Sequence, residues 1–476
     1  MESINILNQS TAILLTLFLS LLFIFFGIIY SKKYKGINNY LVANRSIGTF
    51  SLTTSLVASA LGAWILFGPA SAATWGGIGA VIGYSIGTAF PLFILIYLGE
   101  KFRKIYSKGR TLTELVKIRF GNKLFKLILL LSIFYMTIFL IAELTAVSIL
   151  IKYISGTDLW ITALIVIVSS LIYTLHGGLR ASIFTDNIQF VIICLLLFIG
   201  FGYLIYFNTN QFTFEFININ KPNLLDLGYL PNFTAGLTFF IAVAATNLFH
   251  QGNWQRVYAA KDDKVLKKSL VISFLIIIPI VFLMGFSGLV AVSSDSKVIP
   301  DLAFFSLLLK EQALFISIVV IILGISLTIS SIDTLINAIS SLIVVDGRNF
   351  LKLKWDYFKL SKYFIIILSI IAFLVASKGL SILYLFLLAD LFCCSAVLTI
   401  FFSFYNKDIK EKNAYISIVF GLVSGLLLFP STDFSNSILI GILFPHEFFP
   451  AFMSQSLLFM SFLIATFFPY LTWKIR

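Results

Sequence analysis

A stripe of oxygen-bearing side chains interrupts the long apolar segment 313–345. Its members recur every three or four residues and so share one face of a helix: Ser330, Asp333, Thr334 and Asn337. Serines in such segments often donate to their own helix backbone, but a stripe that includes a carboxylate has a further use. Hard oxygen ligands suit a small hard cation, and a buried carboxylate also accepts protons. The stripe therefore predicts a cation or proton site.

Four acidic residues lie within or at the edge of apolar segments: Glu143, Asp186, Asp333 and Asp390. Ionisable side chains at membrane depth are unfavourable and are functional candidates by default. Asp186 follows the pair Gly177-Gly178, and the alternative for it is a carboxylate favoured by the start of a helix. No Lys or Arg lies in the middle of an apolar segment. We therefore expect these acids to interact with cations rather than with basic side chains.

The second apolar segment, 50–75, contains residues that break helices. Gly62 and the pair Gly68-Pro69 weaken the hydrogen-bond ladder of a helix, and small residues surround them. A discontinuous membrane helix frees carbonyl oxygens that can coordinate Na⁺, and it directs helix ends towards a solute. The alternative is a kink that allows close helix packing.

Membrane helices must position these residues, because the composition excludes a soluble protein. Hydrophobic residues make up 59% of the 476 residues and charged residues 12%, and the mean hydropathy is +1.01. Helical runs of about 20 apolar residues match the roughly 30 Å hydrocarbon layer of a bilayer. We predict thirteen spans, at residues 11–30, 50–75, 79–99, 123–151, 159–176, 184–207, 233–250, 269–293, 313–345, 363–376, 380–404, 414–429 and 452–472.

The formal net charge of +13 follows the predicted topology. With the N-terminus outside and the C-terminus in the cytoplasm, the internal segments contain all 34 basic residues except Lys152, Lys221, Lys297, Lys310 and Lys378. Basic residues are enriched on the cytoplasmic side of membrane proteins, so the charge does not indicate nucleic-acid binding. We expect a multi-pass protein of the cell (inner) membrane, with the lipid bilayer as its surroundings.

No motif for catalysis accompanies these segments. The 3 histidines are scattered, and Cys393-Cys394 is an adjacent pair without metal-ligand spacing. The sequence contains no nucleotide-binding loop and no nucleophile elbow. We therefore expect neither an enzyme nor a covalently bound cofactor.

Three motifs resemble the sodium:solute symporter family, in the family's order. They are Gly-Gly-x-x-Ala-x-x-x-Thr-Asp-x-x-Gln at 177–189, Trp-Gln-Arg at 254–256, and Ser-Ser-x-Asp-x-x-x-Asn-Ala at 330–338. The resemblance implies an all-α polytopic membrane protein of leucine-transporter-type fold, with discontinuous helices in two inverted five-helix repeats. The implied divisions are a leading helix and link (1–48), the first repeat (49–207), an extracellular loop (208–232), the second repeat (233–404) and two trailing helices (405–476).

The resemblance also implies the cation ligands. A sodium site would use backbone carbonyls and two hydroxyls, from Ala58, Leu61, Leu327, Ser330 and Ser331. Some members resemble a two-sodium design, in which a second site for a cation or a proton would use Asp186, Asp333 and Thr334. Na⁺ is therefore the expected coupling ion.

The resemblance to the family is weaker at the positions that would bind the substrate. The implied pocket residues are Gly62, Ala63, Trp64, Phe67, Asn247 and Asp390. Proline-transporting members have an aspartate where this chain has Ala60, and sugar-transporting members have polar residues near Ile65 and Ser85 or Ile86. Asp390 could bind an amine or hydroxyl of the solute, although Glu143 and Asp390 could instead serve to pair helices.

The family resemblance implies a sodium-coupled secondary active transporter. We expect inward Na⁺ flow to drive import of a small organic solute, such as an amino acid, a carboxylate or urea, by alternating access. The alternatives are proton-coupled symport and a passive channel for small solutes.

The predicted topology can be tested by cysteine labelling. Lys221→Cys and Asp433→Cys should react with an impermeant thiol reagent added to whole cells, because both positions lie on predicted external loops. Lys264→Cys should not react, since it lies on a predicted internal loop. Gel-shift assays measure the labelling, and the reverse pattern would mean that the number of spans is wrong by one.

Overall fold

The computed structural model describes residues 3–351 and 354–474, and nearly all of this chain is α-helical. The described residues form isolated β-bridges, such as Ile47 with Ala260, but no named strand. The α-helices are α1 (Gln9–Ser31), α2 (Ile37–Val42), α3 (Thr49–Ala60), α4 (Gly68–Ile105), α5 (Leu112–Phe120), α6 (Asn122–Ser155), α7 (Leu159–Phe207), α8 (Phe214–Asn220), α9 (Leu230–Phe249), α10 (Gln251–Ala259), α11 (Asp263–Ser294), α12 (Ala303–Leu308), α13 (Leu314–Leu351), α14 (Tyr357–Ala376), α15 (Ile382–Ser403), α16 (Glu411–Leu428), α17 (Ala451–Gln455) and α18 (Leu457–Lys474). Short 3-10 helices occur at Ala43–Arg45, Ala63–Leu66, Pro222–Leu224, Pro300–Leu302 and His446–Phe448.

Ten of the helices within these residues are long and apolar enough to cross a membrane: α1, α4, α6, α7, α9, α11, α13, α14, α15 and α16. The segment Leu457–Tyr470 of α18 is a shorter apolar helix. Helices α4, with 38 residues, and α7, with 49, are each longer than one crossing of a bilayer requires. The chain is therefore a multi-span membrane protein, and the number thirteen stays a prediction.

One glycine interrupts the helical conformation within each of these two long helices. Gly77 in α4 has φ +54° and Gly178 in α7 has φ +59°, in the left-handed region that disfavours any side chain. Gly77 lies between the second and third predicted spans, and Gly178 lies between the fifth and sixth. A Cβ atom at either position would also overlap a neighbour, the side chain of Asn232 for Gly77 and that of Tyr40 for Gly178.

Polar caps fix the starts of helices that lie outside the longest apolar runs. Thr111 and Glu114 form a capping box at the start of α5. The side chain of each residue accepts a hydrogen bond from the backbone N–H of the other. Asp262 caps α11, because its carboxylate accepts from the backbone N–H of Val265 at 2.7 Å.

Helix α13 is the most enclosed of the ten apolar helices. In the most apolar 18-residue stretch of α13, 83% of the residues are buried, compared with 22% in the same stretch of α14 and 33% in that of α1. The polar stripe that begins at Ser330 therefore lies inside the protein and not against lipid.

Glycine residues allow α4 and α9 to pack with their backbones in contact. Gly79, Gly83 and Gly87 recur every four residues on one face of α4. A Cβ atom at Gly79 would overlap the carbonyl of Asn232, and one at Gly83 would overlap the carbonyl of Gly236. Small residues at four-residue spacing are typical of close helix packing in membranes.

Gly83→Ala should destabilise the protein, because its added methyl group has no space against the backbone of α9. Overpacking of this kind costs about 1–3 kcal/mol, so the temperature of thermal unfolding in detergent should fall. Gly200→Ala is the matched control, since no atom lies within 4 Å of a Cβ at Gly200 and alanine favours a helix by about 1 kcal/mol. Equal unfolding temperatures for the two variants would contradict the packing.

Candidate functional site

The helix formed by α3 and α4 is interrupted at the position predicted from Gly62. Helix α3 ends at Ala60, and Leu61 (φ −95°, ψ 81°) and Gly62 (φ −80°, ψ −179°) leave the helical conformation. A short 3-10 helix at Ala63–Leu66 follows, and α4 begins with Pro69 in its first turn. Proline suits this position, because the first turn does not need its missing N–H.

The interruption leaves two buried carbonyls without a backbone donor. The N–H of Leu61 donates to Val57 at 2.9 Å, and the next bond across the gap runs from Ile65 to Gly62 at 3.2 Å. Among the residues that the structure describes, no N–H reaches the carbonyl of Ala58 or of Leu61, although both residues are fully buried. Buried carbonyls normally have a partner, so these two are available to a cation.

The serine pair of α13 faces this interruption. Ser330 is fully buried and Ser331 is 6% exposed, and Leu327 lies one turn earlier on the same helix. A Cβ atom at Gly62 would lie 2.6 Å from Oγ of Ser331, so Ser331 is in direct contact with the helix gap. No described residue forms a hydrogen bond with the Ser331 hydroxyl.

Glu143 of α6 also contacts the helix gap. Its side chain is buried, and its Oε2 accepts a hydrogen bond from the backbone N–H of Ala63 at 2.8 Å. The same Cβ atom at Gly62 would overlap Oε1 of Glu143. A carboxylate is favoured at the start of a helical segment, so Glu143 stabilises the chain directly after the gap. The structure thus gives Glu143 a position at the gap, which sequence analysis did not predict.

Asp186 is paired with a buried arginine. Its Oδ2 lies 2.9 Å from Nη2 of Arg256, and both side chains are fully buried. Arg256 also donates to Ser55 at 2.8 Å and to Thr334 at 2.9 Å, and Ser330 donates to Oδ1 of Asp186 at 2.7 Å. This cluster connects α3, α7, α10 and α13.

The expectation that the buried acids have no basic partner is therefore wrong for Asp186. The sequence places Arg256 after an apolar run, where basic residues usually face the cytoplasm. In the structure, α10 packs inward instead, and all nine of its residues are buried. Pairing with Asp186 compensates for the burial of the guanidinium group.

Asp333 lies beside this cluster without a cationic partner among the described residues. Its carboxylate accepts hydrogen bonds from the hydroxyls of Tyr173 at 2.7 Å and Ser182 at 2.9 Å. With Asp186 and Asp333 ionised and Arg256 positive, the cluster has an excess of one negative charge. A monovalent cation or a proton would balance it.

A cavity adjoins the gap, and three of the six predicted substrate residues line it: Trp64, Asn247 and Asp390. The cavity is small, with a volume of about 40 Å³. Gly62 and Ala63 contact Glu143 at its edge but are not among its lining residues. Phe67 packs against Phe305, with ring centroids 5.0 Å apart, and also lies outside the lining.

Sequence analysis did not assign other residues that line this cavity, including Tyr84, Phe139, Glu143, His250 and Phe386. A local signal existed for two of them. Phe139 precedes Glu143 by four residues and Phe386 precedes Asp390 by four, and residues at this spacing share a helix face.

Solved structures of other transporters share the fold of this chain. The chain aligns with a Na⁺-coupled sialic acid symporter in a substrate-bound, outward-open state, with a TM-score of 0.72 and 18% identity over 96% of this chain and 98% of that one. It also aligns with Mhp1, a nucleobase-cation-symport-1 family transporter, in a closed conformation, with a TM-score of 0.55 and 14% identity over 93% of this chain and 96% of that one. At these identities the similarity concerns the fold.

The chain is also similar in sequence to characterised transporters. The chain is 29% identical to the spermidine transporter DUR31 of Candida albicans over 79% of this chain and 71% of that protein. It is 33% identical to solute carrier family 5 member 4A of Mus musculus over 38% of this chain, and 30% identical to sodium/glucose cotransporter 4 of Danio rerio over 35%. These matches span only 28% and 26% of those two relatives.

The family assignment rests on the match to a sequence profile of the whole family. The sequence profile of the sodium:solute symporter family matches residues 40–421, which include the interrupted helix, the Gly177–Gln189 motif and the polar stripe of α13. The apolar helices and the similar folds agree with that match. The chain therefore belongs to the sodium:solute symporter family, whose members are membrane transporters.

Proposed function

We propose that this protein is a sodium-coupled symporter that imports a small organic solute across the cell (inner) membrane by alternating access. The observation that carries the proposal is the contact between the helix gap and α13. Two buried carbonyls without donors, of Ala58 and Leu61, lie in the gap that Ser331 contacts. Na⁺ would bind there to the carbonyls of Ala58, Leu61 and Leu327 and the hydroxyls of Ser330 and Ser331.

A second cation site is proposed at Asp186, Asp333 and Thr334. Its support is the excess negative charge that remains after Arg256 has paired with Asp186. The sialic acid symporter of similar fold has a novel Na⁺ site of its own. The second candidate function, proton-coupled symport, rests on the same carboxylate, since a proton on Asp333 would balance the charge equally well.

The proposed architecture has two inverted repeats, 49–207 and 233–404, between the leading segment 1–48 and the trailing segment 405–476. The left-handed glycines Gly77 and Gly178 support a division of α4 and α7. With the shorter apolar helix Leu457–Tyr470 counted as a further span, this division would give thirteen spans. An odd number of spans would place the two termini on opposite sides of the membrane, and the distribution of basic residues favours an external N-terminus and a cytoplasmic C-terminus.

The cavity beside the gap is the proposed solute site. Its neighbours include an interrupted helix, which is where transporters of this kind bind their solutes. The relatives are named for different solutes, a polyamine and glucose. The proposed class of solute for this chain therefore depends on the cavity itself. Two buried carboxylates there, Glu143 and Asp390, disfavour a carboxylate as the solute.

Ser330→Ala combined with Ser331→Ala should abolish the sodium dependence of uptake in proteoliposomes. Each change removes an oxygen ligand, and a bond to a charged group contributes about 1.5–3 kcal/mol. The control is Ser317→Ala, which removes a hydroxyl of the same helix that donates to the carbonyl of Ala313. An unchanged sodium requirement in the double variant would contradict the sodium site.

Asp333→Asn should reduce the steepness of the sodium activation curve to a Hill slope near one. Asparagine retains one acceptor oxygen, for the hydroxyl of Tyr173 or that of Ser182, and removes the excess negative charge. If Asp333 takes up a proton instead, the same variant should lose the pH dependence of uptake and keep the slope. A variant with neither change would contradict both forms of the second site.

The variant Asp186→Asn tests the pairing of Asp186 with Arg256, and Asp333→Asn is its control. Asp186→Asn leaves the buried guanidinium of Arg256 without its anionic partner, and an uncompensated buried charge destabilises by about 3–5 kcal/mol. Its temperature of thermal unfolding in detergent should therefore fall well below that of Asp333→Asn. Equal temperatures would contradict the pairing of Asp186 with Arg256.

A further inference from the structure

Two helices that line the cavity contain nearly the same five residues. Helix α6 contains Phe-Leu-Ile-Ala-Glu at 139–143, and α15 contains Phe-Leu-Leu-Ala-Asp at 386–390. In each helix the acid lies one turn after the phenylalanine, on the same face. The rings of Phe139 and Phe386 meet edge to face with their centroids 4.8 Å apart.

The two helices run antiparallel, which separates the two acids. Phe134 of α6 contacts Phe392 of α15, with ring centroids 4.8 Å apart, so the numbering rises along one helix as it falls along the other. In this register Asp390 lies level with residues 135–136 of α6. At about 1.5 Å per residue, Asp390 and Glu143 are about 11 Å apart along the helix axes.

The side chains shorten this separation. Helical side chains lean towards the N-terminus of their own helix, and because the helices are antiparallel, Glu143 and Asp390 lean towards each other. The cavity therefore has a carboxylate towards each end and the phenylalanine pair between them.

Neither carboxylate has a positively charged partner in the cavity. Glu143 is 1% and Asp390 is 3% exposed, and no described Lys or Arg lines the cavity. The hydroxyl of Thr246 lies beside Asp390 but donates to the carbonyl of Ala242 at 3.1 Å. The ring of His250 accepts from the N–H of Gly252 at its Nδ1, so that nitrogen carries no proton.

Aromatic side chains form the walls between the two acids. Trp64 stacks on Tyr84 with ring centroids 5.5 Å apart and an interplanar angle of 17°, and Phe139 and Phe386 also line the cavity. Aromatic faces attract ammonium groups and bury methylene chains favourably.

We propose that the solute is a linear diamine or polyamine, whose terminal ammonium groups bind to Glu143 and Asp390 while its alkyl chain lies along the aromatic walls. This inference rests on the proposed function, because it assumes that the cavity is the solute site of a symporter. Buried carboxylates are unfavourable unless they are paired. A dication pairs both, a monoamine leaves one unpaired, and an anionic solute adds a third negative charge.

The test measures binding of 1,4-diaminobutane to the purified full-length protein in detergent, by isothermal titration calorimetry in NaCl and in KCl. Butylamine and butane-1,4-diol are matched probes, since each retains the four-carbon chain and lacks one or both ammonium groups. The diamine should bind at least about tenfold more tightly than butylamine, the effect of one bond between charged groups. The diol should bind more weakly still.

Glu143→Gln and Asp390→Asn should each reduce the affinity for the diamine to about that of butylamine, because either change leaves one ammonium group without its anion. Glu311→Gln, which neutralises an exposed acid, should leave it unchanged. Circular dichroism checks that each variant is folded, and glutamine at position 143 still offers an acceptor to the N–H of Ala63.

Equal binding of the diamine and butylamine, or absence of diamine binding by the wild-type protein, would overturn the inference. Sodium-driven uptake of glucose or proline in proteoliposomes, without diamine binding, would overturn it and leave sodium symport intact. Diamine binding and uptake that are the same in Na⁺ and K⁺ would support the solute class and contradict the proposed function.

Discussion

Gly62 has no space for a side chain, because a Cβ atom there would overlap Oε1 of Glu143 and lie 2.6 Å from Oγ of Ser331. This close approach brings together an interrupted helix, the buried acid of α6 and the serine pair of α13. The interruption frees the carbonyls of Ala58 and Leu61, and the N–H of Ala63 is satisfied by Glu143. The proposed sodium site and the proposed solute cavity therefore share one boundary, so that occupancy of one can influence the other.

A hydrogen bond connects this boundary to the cluster around Asp186 and Arg256. Ser330 donates to Asp186, which is held by the buried Arg256, and the same guanidinium group reaches Thr334 and Ser55. The cluster thus connects the four helices α3, α7, α10 and α13. One fixed positive charge against two carboxylates leaves the cluster dependent on a mobile cation or proton for neutrality.

Periodicity and composition were sufficient for the local features. The apolar runs predicted the membrane helices, Gly62 and Gly68-Pro69 predicted the interruption, and spacing of three and four residues predicted the buried polar face of α13. Tertiary pairing was not predictable in the same way. The inward packing of α10, which buries Arg256 against Asp186, and the position of Glu143 at the gap depend on residues 70 to 80 positions apart in sequence.

The most direct test of the central claim is equilibrium binding of ²²Na⁺ to the purified wild-type protein without solute. The gap at Gly62 combines two carbonyls that lack a backbone donor with the hydroxyl of Ser331, which lies against Gly62. We therefore expect saturable ²²Na⁺ binding that unlabelled Na⁺ displaces and K⁺ does not. Absence of saturable binding, or equal displacement by K⁺, would contradict it.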